Sequence, residues 1–360
     1  MLELAPDGHR LQYVRHLVEA LPRGERILIV SPWVAASSEF AHHLGRTETE
    51  TVVVSADDHD VALREALTTA TDRGVGHLVV PDGDKAVRPL LRAVVRGALG
   101  RARPRRPRIT LLLMRTALPG GPERATLGMV LKPALVAALR RLPGVRVHFL
   151  TDAFGVVTRR PGFPGVTPVR DPVTPPTEPL DPPRTGDRVR VGILGVISAR
   201  KHVPVLLRAC VERPEVDVVL AGRCEPDVRE VLATHPDAAQ LRAEGRLAVD
   251  DRLLDDAEFD AALRSLDVAA VLHDNDAPSG IVAESCARGV PVLGPDRGWI
   301  ATVLDTTGCG VKARVDDPAD VAGALVRLLA DREEYMAAAR KAGADLGTED
   351  FVGGLLGDRE

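Results

Sequence analysis

The sequence predicts an α/β protein made of two parallel, doubly wound sheets, and three observations carry that prediction. Short β-branched apolar runs alternate with helical patterns along both halves of the chain. A stretch crowded with proline separates the halves. A length of 360 residues also suits two domains, since domains mostly run about 100–200 residues.

In the first half, strands are expected at residues 2–4, 26–30, 51–55, 76–80, 109–114 and 145–150. Between them, apolar residues recur at helical spacing over 11–21, 39–44, 62–71, 87–98 and 127–142. From Arg160 to Arg184 prolines 161, 164, 168, 172, 175, 176, 179, 182 and 183 remove backbone donors and fix φ. That composition excludes a helix or a central strand and predicts a stiff, extended linker. The alternation then restarts with a strand at 189–194, a helix at 203–210, a strand at 216–221 and helices at 225–234 and 257–266. Val268-Ala-Ala-Val-Leu272 reads as a buried strand, and two helical patterns, 317–329 and 332–344, finish the chain. The expected organisation is a first domain over 1–158, a linker over 159–187, a second domain over 188–345 and a tail over 346–360. In such sheets ligands bind beyond the carboxyl ends of the strands, so two units around one hinge predict a central cleft.

Composition narrows the function classes. Hydrophobic residues make up 45% and charged residues 27%, ordinary for a soluble globular chain. A formal net charge of -4 gives no basis for bulk nucleic-acid binding. Cys210, Cys224, Cys286 and Cys309 lack any metal-ligand spacing and read as reduced thiols of a cytoplasmic protein. No signal peptide and no apolar run of membrane-spanning length is visible. Arginine far exceeds lysine and alanine is abundant, which suggests a bacterial, GC-rich source.

The segment from Asp276 to Gly294 is the most informative. Ser279 and Gly280 open a helix after a buried strand, and Gly289-Val-Pro291 closes it. A helix start at the mouth of a parallel sheet presents free N–H groups and a positive dipole end to an anion such as phosphate. Glu284 lies about one turn inside, where a carboxylate can accept from sugar hydroxyls. Phosphate at the tip and a polyol beside a carboxylate describe a nucleotide-sugar pocket.

Upstream lie Gly195-Val-Ile-Ser-Ala-Arg200-Lys201, Ala221-Gly222 and Asp250-Asp251-Arg252. This order resembles the donor-binding domain of retaining GT-B fold glycosyltransferases of the group 1 type, over about residues 189–331. The first half shares only the βα order. The resemblance implies two Rossmann-like domains facing a cleft, and sugar transfer from a nucleotide-diphosphate donor to a hydroxyl acceptor with retention. It implies no metal and no cofactor beyond the donor, whether a UDP-, GDP- or dTDP-sugar, and a hexosyltransferase-like activity. In the family a Gly-Arg pair is followed by a Lys, both cations gripping the diphosphate. Gly195 and Lys201 fit, Val196 replaces the Arg, and Arg200 is the candidate substitute. Two Glu residues separated by seven others hold the donor sugar and the ribose. Glu284 matches the second, and Asp276 stands at the first. Ser279, Gly280 and Ile281 would offer backbone N–H groups to the phosphates, with Asp251 and Arg252 flanking the base.

In the first half the resemblance implies a cleft-facing loop at Gly8 and His9, where the plainer reading is a helix cap by Asp7. Relatives carry a His after the fifth strand, where this chain has Arg115. The expected catalytic set is Asp276, Lys201, His9 and Arg115. Asp82 and Asp84 are further candidates, equally explained by a solvated turn. Asp274 and Asp276 imitate an Asp-x-Asp metal pair, a reading the two-domain plan opposes. The basic run 85–108, with Arg88, Arg92 and Arg96 four residues apart, is a candidate for weak contact with an anionic membrane surface, against a solvated helix face. Gly192-x-x-Gly195 is no dinucleotide fingerprint. A non-catalytic nucleotide-binding subunit and a sugar-nucleotide epimerase are the alternatives on this fold.

Overall fold

The computed structural model describes residues 1–6, 10–95, 107–115, 122–156, 163, 165–177, 188–273 and 278–357, with backbone alone for 95 and 122–130. The chain divides into two compact units. One is Met1–Pro172 with Thr348–Glu360, the other Val173–Gly347.

The first unit holds strands β1 (Leu2–Glu3), β2 (Ile27–Val30), β3 (Glu50–Val53), β4 (His77–Val80), β5 (Arg108–Leu113), β6 (Val145–Thr151) and β7 (Thr167–Arg170). All described pairings are parallel, in two ladders, β1-β2-β3 and β4-β5-β6-β7. β1 and β4 lie side by side, and Leu2, Leu4, Leu78 and Val80 share one core. The spatial order is therefore β3-β2-β1-β4-β5-β6-β7, with the reversal between β1 and β4. Burial on both faces of β2, β4 and β5 explains why these strands read as apolar runs rather than alternating ones, whereas β3 and β7 at the edges are mostly exposed.

Two expectations change here. Residues 167–170, read as linker, form β7 on the open edge of the sheet, pairing with β6. Pro168 is tolerated there because an edge strand leaves one row of N–H groups without a ladder partner. The tail 346–360 also gives way to a helix, Glu349–Leu356, that belongs to the first unit. Phe351 and Leu355 are buried in a core with Tyr13, Leu17 and Val169. Burying one such side chain contributes about 1.5–3 kcal/mol, enough to fix a short helix whose own propensity is poor.

The second unit is one six-stranded parallel sheet of β8 (Val189–Leu194), β9 (Val216–Ala221), β10 (Leu247–Asp250), β11 (Val268–Ala270), β12 (Val292–Pro295) and β13 (Gly310–Ala313). Its order is β10-β9-β8-β11-β12-β13, the doubly wound 3-2-1-4-5-6 arrangement. β10, β13 and the helices Pro236–Ala243 and Gly298–Thr307 were not picked out from the sequence. β10 is only four residues long, Leu-Ala-Val-Asp with mostly exposed side chains, too short for a periodicity signal. The helix after β8, Val203–Val211, packs on Pro318–Ala330 and Pro236–Ala243. The helix after β11, Gly280–Ala287, packs on Arg332–Gly343. The strand order reverses between β8 and β11, so the loops after these two strands flank the crevice where open α/β sheets take ligands.

Candidate functional site

Residues 195–201 leave β8 in a turn that glycine alone permits. Gly195 has φ +82° and Gly222, at the end of β9, has φ +133°. A Cβ on Gly222 would stand 2.1 Å from the Gly195 carbonyl oxygen, so the two strand ends meet backbone to backbone. The Gly195 N–H donates to Ala221 O at 3.0 Å and the Gly222 N–H to Asp250 O at 2.9 Å, carrying the ladder into the turn. A short 3-10 turn, Ala199–Lys201, follows and ends on His202 at φ +50°. Among the described residues His202 is the one non-glycine with positive φ. Strain of this kind costs of order 1–3 kcal/mol and collects at functional turns.

That turn sends Lys201 inward. Its side chain is buried, its ammonium donates to the Leu194 carbonyl, and a Cβ on Gly195 would be 3.7 Å from both Lys201 Nζ and Ile281 Cδ1. Gly195, Lys201 and the first turn of the helix Gly280–Ala287 thus converge on one point. Among the described residues no carboxylate pairs with Lys201, and burial pulls its pKa from 10.5 down to about 8. The neighbouring Arg200 charge lowers it further. A desolvated cation with a single carbonyl partner gains strongly from an incoming anion.

The other expected donor residues fall into two groups. Ser279 caps the helix Gly280–Ala287 with backbone geometry but without a side-chain bond, leaving the first N–H groups to other partners. Arg200 is exposed, in contrast to the buried Lys201. Asp251 is held by the structure itself: Cys224 N donates to it at 2.8 Å and Arg229 Nε at 2.6 Å. Arg252 pairs with Asp250 at 2.9 Å and Glu258 at 2.8 Å. Both lie beyond β10, with their charges already matched. Glu284 is buried and accepts from Thr174 N at 3.1 Å and Arg288 Nη1 at 2.5 Å. Asp276, with Asp274, lies outside the described residues.

The mouth of the first unit is built differently. Asp84 is buried, accepts from Met114 N at 2.8 Å and Arg115 N at 3.0 Å, and pairs with Lys132. Lys132 is fully buried and also donates to the Arg115 carbonyl at 2.5 Å. Burial pushes the Asp84 carboxyl up, against the pull of Lys132. Asp82 pairs with Arg10 at 2.9 Å and Lys85 at 3.4 Å. These are interior clasps, so the solvated-turn reading of Asp82 and Asp84 fails. Glu3, at the end of β1, is buried, accepts from its neighbours Leu4 N and Ala5 N, and is pushed up to about 8 by burial and then by Asp82. Neither Glu3 nor Lys132 was singled out in the sequence. Each sits inside an apolar run where one charge breaks no pattern. Arg115 presents an exposed side chain and contributes its backbone to the Asp84 clasp. Gly8 and His9 lie outside the described residues. So do residues 96–106 of the basic segment. Within its described part Arg88 is exposed and Arg92 pairs with Asp60. No helix among the described residues is long and apolar enough to cross a membrane. The four cysteines are free and buried.

No protein-family model matches this sequence. Over 127 residues the chain is 36% identical to the phosphatidyl-myo-inositol mannosyltransferase of Mycobacterium leprae. The alignment spans 33% of this chain and 34% of that protein, about a third of the relative's length. Solved structures match along the whole chain. The Anabaena protein HepE in complex with UDP and glucose superposes with a TM-score of 0.65 at 13% identity, covering 99% of this chain and 97% of that one. A glycosyltransferase from Rickettsia africae gives a TM-score of 0.66 at 9% identity, covering 100% and 98%. Identities this low speak to the fold alone. The chain has the GT-B fold of two Rossmann-like units and resembles the group 1 glycosyltransferases.

Proposed function

We propose that the protein is a glycosyltransferase that moves a sugar from a nucleotide-diphosphate donor to a hydroxyl acceptor, with retention and without a metal. The observation that carries this reading is Lys201: a buried ammonium without a carboxylate partner among the described residues, beside the Gly195 turn and the start of the helix Gly280–Ala287. The donor diphosphate supplies the missing anion. Backbone N–H groups at Ser279 to Ile281 cradle it, and Glu284 takes the ribose. Asp276 orients the transferring sugar, and His9 and Arg115 are the further catalytic candidates, roles that rest on the family resemblance. Stabilising the leaving diphosphate and orienting the reactants is then the main catalytic task. Support comes from the mannosyltransferase similarity and from HepE, which shares the fold and was solved with UDP and glucose.

Isothermal calorimetry with UDP-, GDP- and dTDP-sugars tests the donor site. At least one is expected to bind, and Lys201→Ala should weaken it about tenfold or more, as for a hydrogen bond to a charged group. No binding, or binding undiminished in the variant, sinks the assignment. The exposed Val196 in the place of the family's Arg favours a second reading, a nucleotide-binding subunit without turnover. Slow donor hydrolysis measured without acceptor separates the two, since only a transferase leaks sugar to water.

A further inference from the structure

The chain enters the second unit at Val173, and its first residues do not simply pass by. Val173 N donates to Gly347 O at 3.1 Å, tying the entry of the unit to its exit. Thr174 N donates to Glu284 Oε1 at 3.1 Å. Arg288, one turn beyond Glu284 on the same helix, donates Nη1 to Glu284 Oε2 at 2.5 Å and Nε to Asp260 Oδ1 at 2.7 Å. Thr177 then donates its hydroxyl to Asp260 Oδ2 at 2.7 Å. The strap 174–177 is therefore gripped at both ends by one ion network. The side chains of Arg288 and Asp260 within it are each 2% exposed. Pro175 and Pro176 fix φ between the two grips and hold their spacing.

Resting on the donor-site reading above, we propose that residues 173–177 form a clasp on the donor site, with Thr174 and Arg288 as positioning residues that orient Glu284 toward the ribose hydroxyls. A Glu side chain on a short helix has several rotamers open to it. Two donors arriving from different elements, one from the strap and one from the helix, leave it one orientation. A buried ion network adds little stability over well-packed apolar residues, so its return lies in placing a group. Seating the clasp and binding the ribose then favour each other, and by linkage each strengthens the other equally.

The test compares UDP and GDP with their 2′,3′-dideoxy counterparts by calorimetry, in the full chain and in Thr174→Pro and Arg288→Gln. Thr174→Pro removes the backbone N–H that the strap gives to Glu284 and suits a segment already rich in proline. The intact protein should bind the ribonucleotide at least tenfold tighter than its dideoxy form. Thr174→Pro should lose about fivefold or more of the ribonucleotide affinity and none of the dideoxy affinity, as expected for one hydrogen bond to a charged group. Arg288→Gln should lose more by the same pattern, provided its melting temperature shows it folded. Equal losses on both ligands, or no loss in Thr174→Pro, overturn the clasp while leaving the donor site standing. An intact protein that binds neither nucleotide overturns the donor reading and the clasp with it.

Discussion

The two sheet mouths offer a comparison within one chain. Each unit reverses its strand order once, between β1 and β4 or between β8 and β11. At the first mouth the protein has filled the position with its own charges: Asp84 with Lys132, and Asp82 with Arg10 and Lys85. At the second, two glycines bring strand ends together and leave a buried lysine whose described partner is a carbonyl. The same topology thus carries a self-neutralised scaffold in one unit and an unbalanced cation in the other. A buried cation without a carboxylate gains from an anionic ligand, which is why the donor site is proposed there.

Lys132→Ala should have the largest effect. It leaves the buried Asp84 without its cation, and breaking such a pair costs about 3–5 kcal/mol. Thermal and urea unfolding of the first unit should show it. In Lys201→Ala stability should move by less than about 1 kcal/mol, because that ammonium has one neutral partner to lose. Equal destabilisation by both would erase the contrast. Gly222→Ala comes next. Its φ disfavours any side chain and its Cβ meets the Gly195 oxygen, so a loss of about 1–3 kcal/mol is expected, together with weakened nucleotide binding.

A smaller effect is expected from pH. The Lys201 pKa is depressed to about 8, so the charge is present below that value and lost above it. Nucleotide affinity should therefore be flat from pH 6 to 7 and fall as pH rises through 8, by at most about tenfold per unit. A profile unchanged in Lys201→Ala would assign the titration elsewhere. For folding the sign is opposite. Between about 8 and 10.5 the unfolded chain holds this proton and the folded one does not, so Lys201 makes stability rise with pH there. Last, His202→Gly should relieve the positive φ and raise stability by about 1 kcal/mol, measured by thermal unfolding.

Much of the fold was legible. The sequence placed β8 and β9 at 189–194 and 216–221, where the structure has them, because mostly buried parallel strands write runs rich in aliphatic residues, interrupted here by Arg190 and Asp217. It missed β7 because proline hides an edge strand, and it missed the helix Glu349–Leu356 because two buried residues in eight give little periodicity. The site was legible where backbone geometry demands a residue type: Gly195 and the Ser279-Gly280 helix start. Charge partners were not. Nothing in the sequence shows that Glu284 meets Thr174 and Arg288, that Asp251 is taken by Cys224 and Arg229, or that Lys132 reaches Asp84.

The sequence by itself determined the two-unit α/β plan, the Gly195 turn and the helix that follows β11, since periodicity and glycine requirements are local properties of the chain. Tertiary structure decided which charges are spent and which remain. Ion pairing depends on distances of a few ångströms between residues far apart in the chain, and burial sets how much each pair or its absence matters. Lys201 and Lys132 are alike in sequence, a lysine near apolar residues. Only the fold gave one a carboxylate and the other a carbonyl.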